Sequence, residues 1–314
     1  MEIIPFEQIV NMDISPEQCV RWVKEVFLNK YSYDLPPKIS IKLKDNIFYN
    51  TMPSYLPSEN SFGVKVVSRY PHRKPSLKGD VLLYDIQTGD LLAVIDAVWI
   101  TAMRTGAVAA LSIQQLQKKS ARQYGFIGLG NTARATLLCL ADTLKDKQID
   151  IKLLSHKKQE IDFANRFKAF ESLNFSVCET AEELISTSDV VISSVTAMDN
   201  LMAPDTCYKS GVLVVPIHTR GFQNCDLFFD QIFVDDIGHV KDFKHFPKFK
   251  KVDELSNVLL GNNQGRTSDN ERILAYNIGI SIHDIYFAHK IFEMIKCQNK
   301  KEYLLFDNKN KFWV

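Results

Sequence analysis

The chain has 314 residues, of which 46% are hydrophobic and 24% are charged, as in soluble globular proteins rather than disordered or fibrous ones. Lys and Arg together number 38 against 37 for Asp and Glu, so the charge balance favours neither a nucleic-acid partner nor an anionic membrane surface. The longest apolar runs are strand-sized and the N-terminus shows no signal peptide, so we expect a cytoplasmic protein with no membrane association.

The first part of the chain predicts a helix followed by short strands. Ser15 and Pro16 are residue types preferred at the start of a helix, and apolar residues follow them at helical spacing. Short β-like runs come next, at 39–41, 47–49, 63–67 and 81–84. Gly89 indicates a hairpin turn within 84–92, because such a turn needs a positive φ. An Ala-rich helix at 103–116 closes this α+β block, which we place at 1–119.

The second part alternates strands and helices. Strands are predicted at 124–127, 151–154, 175–177, 190–193, 212–217 and 232–234, with helices at 134–144, 157–170 and 181–185. This alternation is typical of a parallel sheet with helices on both faces. We place this domain at 120–289. A last long helix, predicted at 273–295, returns the chain to the first block, which the segment at about 290–314 would complete.

The strand at 124–127 leads into a dinucleotide-binding pattern, Gly128-x-Gly130-x-x-Ala133. Gly128 permits a tight turn, Gly130 lets the backbone approach a pyrophosphate, and Ala133 allows close packing of helix on strand. The N-terminus of the following helix offers free N–H groups to phosphates. The alternative is a glycine-rich turn without a ligand, but the strand–turn–helix setting favours the nucleotide.

The end of the second strand favours NADP(H) over NAD(H). An NAD enzyme usually has an acidic residue there, whereas this strand is followed by Ser155, His156, Lys157 and Lys158, and the next carboxylate is Glu160. A hydroxyl and two lysines suit a 2′-phosphate, although the lysines could also be solvated residues of a helix. The residues expected to contact the cofactor are Gly128, Gly130, Asn131, Thr132, Ala133, Ser155, His156, Lys157 and Thr196.

Two stretches carry a resemblance to a known family. Residues 88–96 read TGDLLAVID, and residues 100–110 read ITAMRTGAVAA. With GVKVV at 63–67, the GxGxxA turn, Gly265-Arg266, NIGI at 277–280 and Asp284, the chain resembles the ornithine cyclodeaminase/mu-crystallin family over nearly its whole length. The resemblance implies an α/β protein, with a Rossmann-type NAD(P)-binding domain plus an α+β substrate and dimerisation domain, that assembles as a homodimer.

By position, the resemblance implies that Lys65 and Arg104 are catalytic and hold the α-carboxylate of a small amino or imino acid, and that Lys38 adds a third cation. A clamp of Arg and Lys would orient the substrate Cα toward the nicotinamide. Without the resemblance, Lys65 between two valines would be interpreted as an outward, solvated lysine. Arg104 in the first turn of a helix would oppose the helix dipole, which favours its functional interpretation.

One departure from the family concerns the loop after the fifth strand of the Rossmann-type domain. Ornithine cyclodeaminases carry a catalytic Asp there, whereas this chain has no carboxylate between Ile217 and Cys225. His218 and Arg220 stand in this loop and are candidates for proton donation or for binding a second carboxylate. The alternative, that His218 is a hydrogen-bonded histidine at the end of a strand with no role in the reaction, explains it at least as well.

These observations favour an NADPH-dependent oxidoreductase that reduces the C=N bond of a small α-imino acid, in the manner of a ketimine reductase. The alternatives are an ornithine cyclodeaminase or amino-acid dehydrogenase working in the oxidative direction, an imine-forming amino-acid conjugate synthase, and a non-catalytic NADP(H)-dependent binding protein. The six cysteines are scattered without metal-ligand spacing, so we expect no metal site and a reducing compartment. Residues 241–251, which mix lysines with aromatics, are interpreted as a solvated loop rather than a single-strand binder.

Overall fold

A computed structural model describes residues 1–145, 147–196, 198, 200–217 and 227–296. The chain divides into two compact units. Unit 1 comprises Met1–Asp13, Tyr31–Thr101 and the segment that starts at Ser281, and unit 2 comprises Ile14–Lys30 and Ala102–Ile280. Within the described part of the chain, no helix combines the length and the apolar composition that a membrane crossing requires.

Unit 1 is built on a sheet that one long helix covers. Its described elements are β1 (Glu2–Ile4), α1 (Phe6–Val10), β2 (Ile39–Lys42), β3 (Phe48–Leu56), β4 (Ser61–Arg69), β5 (Leu77–Asp85), β6 (Leu91–Asp96), the start of α3 (Val98–Leu116) and α9 (Ser281–Lys296). The strand order is β1-β6-β5-β4-β3-β2, antiparallel except for the β1–β6 pair. The predicted hairpin at 84–92 is confirmed, with Gly89 at φ +78°.

The two faces of this sheet differ. Alternate residues of β3 to β6 are buried on the face that α9 covers, as the period of two in a strand requires. The helix lies so close that an ideal Cβ at Gly63 would come within 2.7 Å of Cδ1 of Ile285. The opposite face keeps apolar side chains at least partly exposed, among them Ile39 at 64% and Ile41 at 60%. Exposed apolar faces of this kind are typical of interaction surfaces in general.

Unit 2 is a parallel sheet with helices. Its described elements are α2 (Pro16–Asn29), the rest of α3, β7 (Gln123–Ile127), α4 (Asn131–Thr143), β8 (Ile149–Leu154), α5 (Gln159–Arg166), β9 (Leu173–Cys178), α6 (Ala181–Thr187), β10 (Val190–Ser193), β11 (Leu213–Pro216), β12 (Gln231–Val234), α7 (Ile237–Val240), β13 (Val252–Glu254), α8 (Leu255–Leu259) and β14 (Ile273–Tyr276). The strand order is β13-β12-β14-β11-β10-β7-β8-β9. From β7 the chain first adds strands on one side, β8 and β9, and then crosses to the other side of β7 to add β10 and β11, so the switch point lies between β7 and β10. Ligands bind outside the carboxyl ends of the strands at such a switch point.

The structure corrects the prediction of a single helix at 273–295. Residues Ile273–Tyr276 form β14, which lies between β11 and β12, and the helix begins only at Ser281. All four residues of β14 are buried. A short apolar run that is buried on every side carries no periodicity by which strand and helix could be told apart.

The unit boundaries differ from the domain boundaries expected at 119 and 289. Helix α2 packs on α4 and α8 and therefore joins unit 2. Most of α3 also joins unit 2, because it approaches α4 so closely that a Cβ at Gly106 would lie 2.5 Å from the carbonyl carbon of Ala135. The whole of α9 belongs to unit 1, where it covers the sheet.

Candidate functional site

The turn between β7 and α4 has the geometry that a dinucleotide pyrophosphate requires. Gly128 has φ +82°, and a Cβ there would lie 2.9 Å from the carbonyl carbon of Ser194, so this position needs glycine. Gly130 is the N-cap of α4, and within the described part of the chain the helix has no side-chain cap. Among the described residues other than its own chain neighbours, no atom lies within 4 Å of an ideal Cβ at Gly130. The described residues thus leave room beside Gly130 at the N-terminus of α4, and a helix N-terminus favours an anion.

Two hydroxyl groups beside this turn also fit a cofactor. The Oγ atoms of Ser193 and Ser194, at the carboxyl end of β10, are buried and have no hydrogen-bond partner among the described residues. Buried hydroxyls are normally hydrogen-bonded, so a ligand that supplies partners would satisfy them. Thr196 follows two residues later and is exposed. Sequence reasoning missed both serines, although their position next to β7 at the switch point was a usable signal.

At the carboxyl end of β8, cationic and anionic side chains share one turn. Lys157 and Lys158 are exposed and have φ values of +52° and +62°. The carboxylate of Glu160 folds back on this turn and accepts the backbone N–H of His156 at 3.1 Å. The N–H groups of Glu160 and His156 and the hydroxyl of Ser155 lower the pKa of Glu160. A carboxylate therefore lies at this strand end after all, contributed by the following helix.

In unit 1, Lys65 is buried rather than solvated. Its register partners Met52 on β3 and Val81 on β5 are buried with it on the covered face of the sheet. The ammonium Nζ lies 2.7 Å from Oδ1 of Asp284 on α9 and 3.5 Å from Oγ1 of Thr101. Lys65 is 1% exposed and Asp284 0%. The interpretation of Lys65 as an outward lysine is therefore wrong.

Lys38 stands at the edge of the same sheet. It is half-buried and directly precedes Ile39, the register partner of Thr51. Since Met52, the next residue of β3, is the partner of Lys65, the register extends the row of Lys65 toward Lys38. The topology therefore aligns the two predicted cations of unit 1 across the sheet.

In unit 2, Arg104 is 5% exposed and lies beyond the first turn of α3, which begins at Val98. Its guanidinium packs on the backbone of Gly279. Asp235, which follows β12, accepts a hydrogen bond from the backbone N of Gly279 at 2.8 Å. Burial raises the pKa of Asp235, and the N–H of Gly279, the amide of Asn277 and the charge of Arg104 counteract this shift. Charged side chains are rarely buried unless they are paired. A buried arginine with a buried carboxylate nearby is therefore unlike an ordinary arginine on a protein surface.

His218 and Arg220 lie outside the described residues. The described part of the chain contains no group of His, Cys, Asp and Glu side chains that could hold a metal ion. In the loop at 241–251, Phe243 and Phe249 pack on Tyr276, with ring centroids 6.0 Å and 6.3 Å apart. Because these rings contact the protein core, they do not form a stacking surface for nucleic-acid bases.

Unit 2 thus has the strand order and turn geometry of a Rossmann-type dinucleotide-binding domain, and unit 1 is an α+β domain with a buried lysine. This is the construction of a two-domain nicotinamide-dependent oxidoreductase. The chain belongs to the ornithine cyclodeaminase/mu-crystallin family, whose model matches residues 3–299. The family predicted from the sequence motifs is confirmed.

Several similar proteins are known. The nodulation efficiency protein NfeD of Rhizobium meliloti is 26% identical over 84% of this chain and 85% of that protein. The Δ1-pyrroline-2-carboxylate reductase of Colwellia psychrerythraea is 24% identical over 94% of this chain and 99% of that protein. The structure of the Thermococcus litoralis Δ1-pyrroline-2-carboxylate reductase in complex with NADH and L-proline has a TM-score of 0.85 and is 24% identical, covering 94% of this chain and 98% of that chain. The Colwellia reductase agrees with the expected class of enzyme, and the Thermococcus structure shows the same fold.

Proposed function

We propose that this protein is an NAD(P)H-dependent reductase of a small α-imino acid. The observation that carries this proposal is the buried ion pair of Lys65 and Asp284 in unit 1, within a chain that belongs to this family. A charged lysine is rarely buried unless it is paired, and such pairs contribute little net stability compared with apolar residues of the same volume. An ammonium held at a fixed point of a substrate domain has a clear chemical use, because it can give a proton to an imine nitrogen.

In this proposal Lys38, Lys65 and Arg104 bind the substrate carboxylate and fix the orientation of the imine carbon. Charge-assisted hydrogen bonds from a guanidinium and ammonium groups are strong and directional enough for this task. The nicotinamide supplies the hydride to the imine carbon when it is bound. Lys65, or a water that it orients, holds the proton that goes to the nitrogen. Asp284 keeps the Lys65 ammonium in position and balances its charge.

For the cofactor we propose NADP(H). The open turn at Gly130 and the hydroxyls of Ser193 and Ser194 fit the part that the two nicotinamide dinucleotides share. The exposed Lys157 and Lys158 favour the extra phosphate of NADP(H), and the carboxylate of Glu160 opposes it. Comparing NADPH with NADH at equal concentrations tests the preference, and a higher kcat/KM with NADH would contradict it.

We also propose that the protein is a homodimer in the cytoplasm. The uncovered sheet face of unit 1 carries exposed Ile3, Ile39, Ile41 and Phe62, and a second copy of the same face would cover it. The described cysteines are free thiols, as in a reducing compartment. Sedimentation should show a dimer at micromolar concentration, and Ile39→Lys with Ile41→Lys should shift it to a monomer. A wild-type monomer would contradict the proposal.

The activity is tested by following the absorbance of NADPH with a set of imino acids. Cyclic imino acids such as Δ1-pyrroline-2-carboxylate should oxidise NADPH, and ornithine with NADP⁺ should give no reaction. Lys65→Met should abolish the reaction, whereas Lys24→Met removes an exposed lysine of α2 that belongs to neither the proposed site nor the proposed interface, and should leave the reaction unchanged. Turnover of ornithine with NADP⁺, and of no imino acid with NADPH, would contradict the proposal. An active Lys65→Met variant would also contradict it.

A further inference from the structure

The guanidinium of Arg104 rests on the backbone of one glycine. An ideal Cβ at Gly279 would lie 2.5 Å from Nη1 of Arg104, 3.0 Å from Nη2 and 3.2 Å from Cζ. The guanidinium group therefore occupies the space that a side chain at position 279 would need. Gly279 also has φ +78°, a conformation that L side chains rarely adopt. The backbone of Gly279 thus borders the guanidinium, and a shift of this backbone changes the space in which the guanidinium lies.

Asp235 holds that backbone. Its Oδ2 accepts the N–H of Gly279 at 2.8 Å, and its Oδ1 accepts Nδ2 of Asn277 at 3.1 Å. The same amide nitrogen of Asn277 donates to Oγ of Ser112 at 3.0 Å. Ser112 lies about two turns beyond Arg104 on α3. One carboxylate therefore fixes the turn under the guanidinium and, through Asn277, the helix that carries it.

The neighbouring carboxylate has different partners. Asp236 lies 2.8 Å from Nζ of Lys30 and 2.7 Å from Nδ1 of His239, and its side chain caps α7. Asp235 is fully buried and its contacts are directed at Gly279 and Asn277. Two adjacent acidic residues at the carboxyl end of β12 thus serve separate structures, which makes Asp236 a matched control for Asp235.

We propose that Asp235 is a positioning residue for Arg104, acts through the backbone of Gly279, and thereby sets the affinity of the site for a substrate carboxylate. The inference rests on the proposed function in one respect, that Arg104 binds the carboxylate. Asp235 itself does not touch the substrate. Its loss leaves the guanidinium charged but displaced, and a displacement of about 1 Å is enough to weaken a directional contact strongly.

Asp235→Asn tests this, because it keeps the shape of the side chain and leaves only one acceptor for two donors. We expect kcat/KM for an imino acid to fall by about 10- to 100-fold, mainly through KM, while the Kd of NADPH is unchanged. Gly279→Ala should act in the same direction by placing a methyl group under the guanidinium. Ser112→Ala removes only one support of Asn277 and should have a smaller effect of the same kind. Asp236→Asn should lower stability without changing KM.

A second readout does not depend on turnover. Binding of pyrrole-2-carboxylate, a planar carboxylate with no reducible imine, is measured by calorimetry for the wild type, Arg104→Lys, Asp235→Asn and the double variant. We expect both single changes to weaken binding and the double change to add little, because both act on one contact. If Arg104→Lys leaves the Kd of this carboxylate unchanged, the carboxylate site of the proposed function is wrong and the inference fails with it. If Arg104→Lys weakens binding and Asp235→Asn does not, or Asp236→Asn raises KM equally, only the inference is overturned.

Discussion

Removing Asp284 should expose how much of unit 1 depends on one buried ion pair. Asp284→Ala leaves the Lys65 ammonium on the covered face of the sheet without its carboxylate, among the buried Met52 and Val81. Lys65 is 1% exposed and Asp284 0%, so water compensates little of the loss. Breaking a buried pair on one side costs about 3–5 kcal/mol, and we expect a value in this range for the free energy of unfolding.

The double change Lys65→Met with Asp284→Leu removes both charges and fills the same volume with apolar atoms. Since replacing a buried pair by apolar residues is often neutral or stabilising, the double variant should regain most or all of the lost stability. It should nevertheless be inactive, because no ammonium remains to hold the proton. Stability and activity would then separate in one set of variants.

The assay is urea unfolding of the wild type, Asp284→Ala, Lys65→Met and the double variant. Imino-acid reduction with NADPH is then measured for each of them. A loss below about 1 kcal/mol for Asp284→Ala would refute the burial argument, because exposed pairs contribute that little. A double variant that stays as unstable as Asp284→Ala would also refute it. An active double variant would refute the role of Lys65 and leave the packing argument intact.

Three further predictions concern unit 2. Gly128→Ala should lose about 1–3 kcal/mol of stability because position 128 has a positive φ and a close backbone contact. Gly130→Ala should fold normally and weaken only cofactor binding, measured by calorimetry. Equal losses of stability in the two variants would contradict this prediction. Lys157→Ala with Lys158→Ala should raise the KM of NADPH by about fivefold and leave that of NADH unchanged, and an equal effect on both cofactors would contradict the role in phosphate binding. Although burial alone raises the pKa of Asp189, backbone N–H groups and lysine ammonium groups lower it overall. Asp189→Asn should therefore lower the free energy of unfolding by about 2 kcal/mol at neutral pH. This difference should shrink as pH falls below about 4, because the unfolded chain then takes up a proton that the folded carboxylate resists. A constant difference across pH would contradict the prediction.

Local signals predicted most of the elements. Helix α2 was found from Ser15 and Pro16, and in the structure Ser15 accepts the N–H of Gln18 at 3.1 Å. The turn at Gly89 and the strands that flank it followed from alternation and from one residue that tolerates positive φ. These features depend on neighbours in sequence. Strand β14 depends instead on β11 and β12, which pair with its two edges, and no local pattern distinguishes it from a helix.

The candidate site shows the same division. Gly128 and Gly130 form a motif whose geometry can be predicted from the residues alone. Lys65 stands between two valines, and its burial depends on the carboxylate of Asp284, more than two hundred residues later in the chain. Asp235 carries no motif, because its role depends on a hydrogen bond to the backbone of Gly279. Contacts between distant segments become visible only when the chain is folded.

The turn after β8 shows why a charge pattern in sequence does not decide cofactor choice by itself. Two lysines there predict a site for a 2′-phosphate, yet Glu160 already accepts the N–H of His156 at 3.1 Å and lies against the hydroxyl of Ser155. A phosphate at this turn would have to bind through the exposed Lys157 and Lys158, since the inner donors are taken. Contacts between exposed charges are screened by salt, whereas the inner hydrogen bonds are not. The preference for NADPH over NADH should therefore fall as ionic strength rises. Glu160→Gln should strengthen that preference, because it removes the competing negative charge.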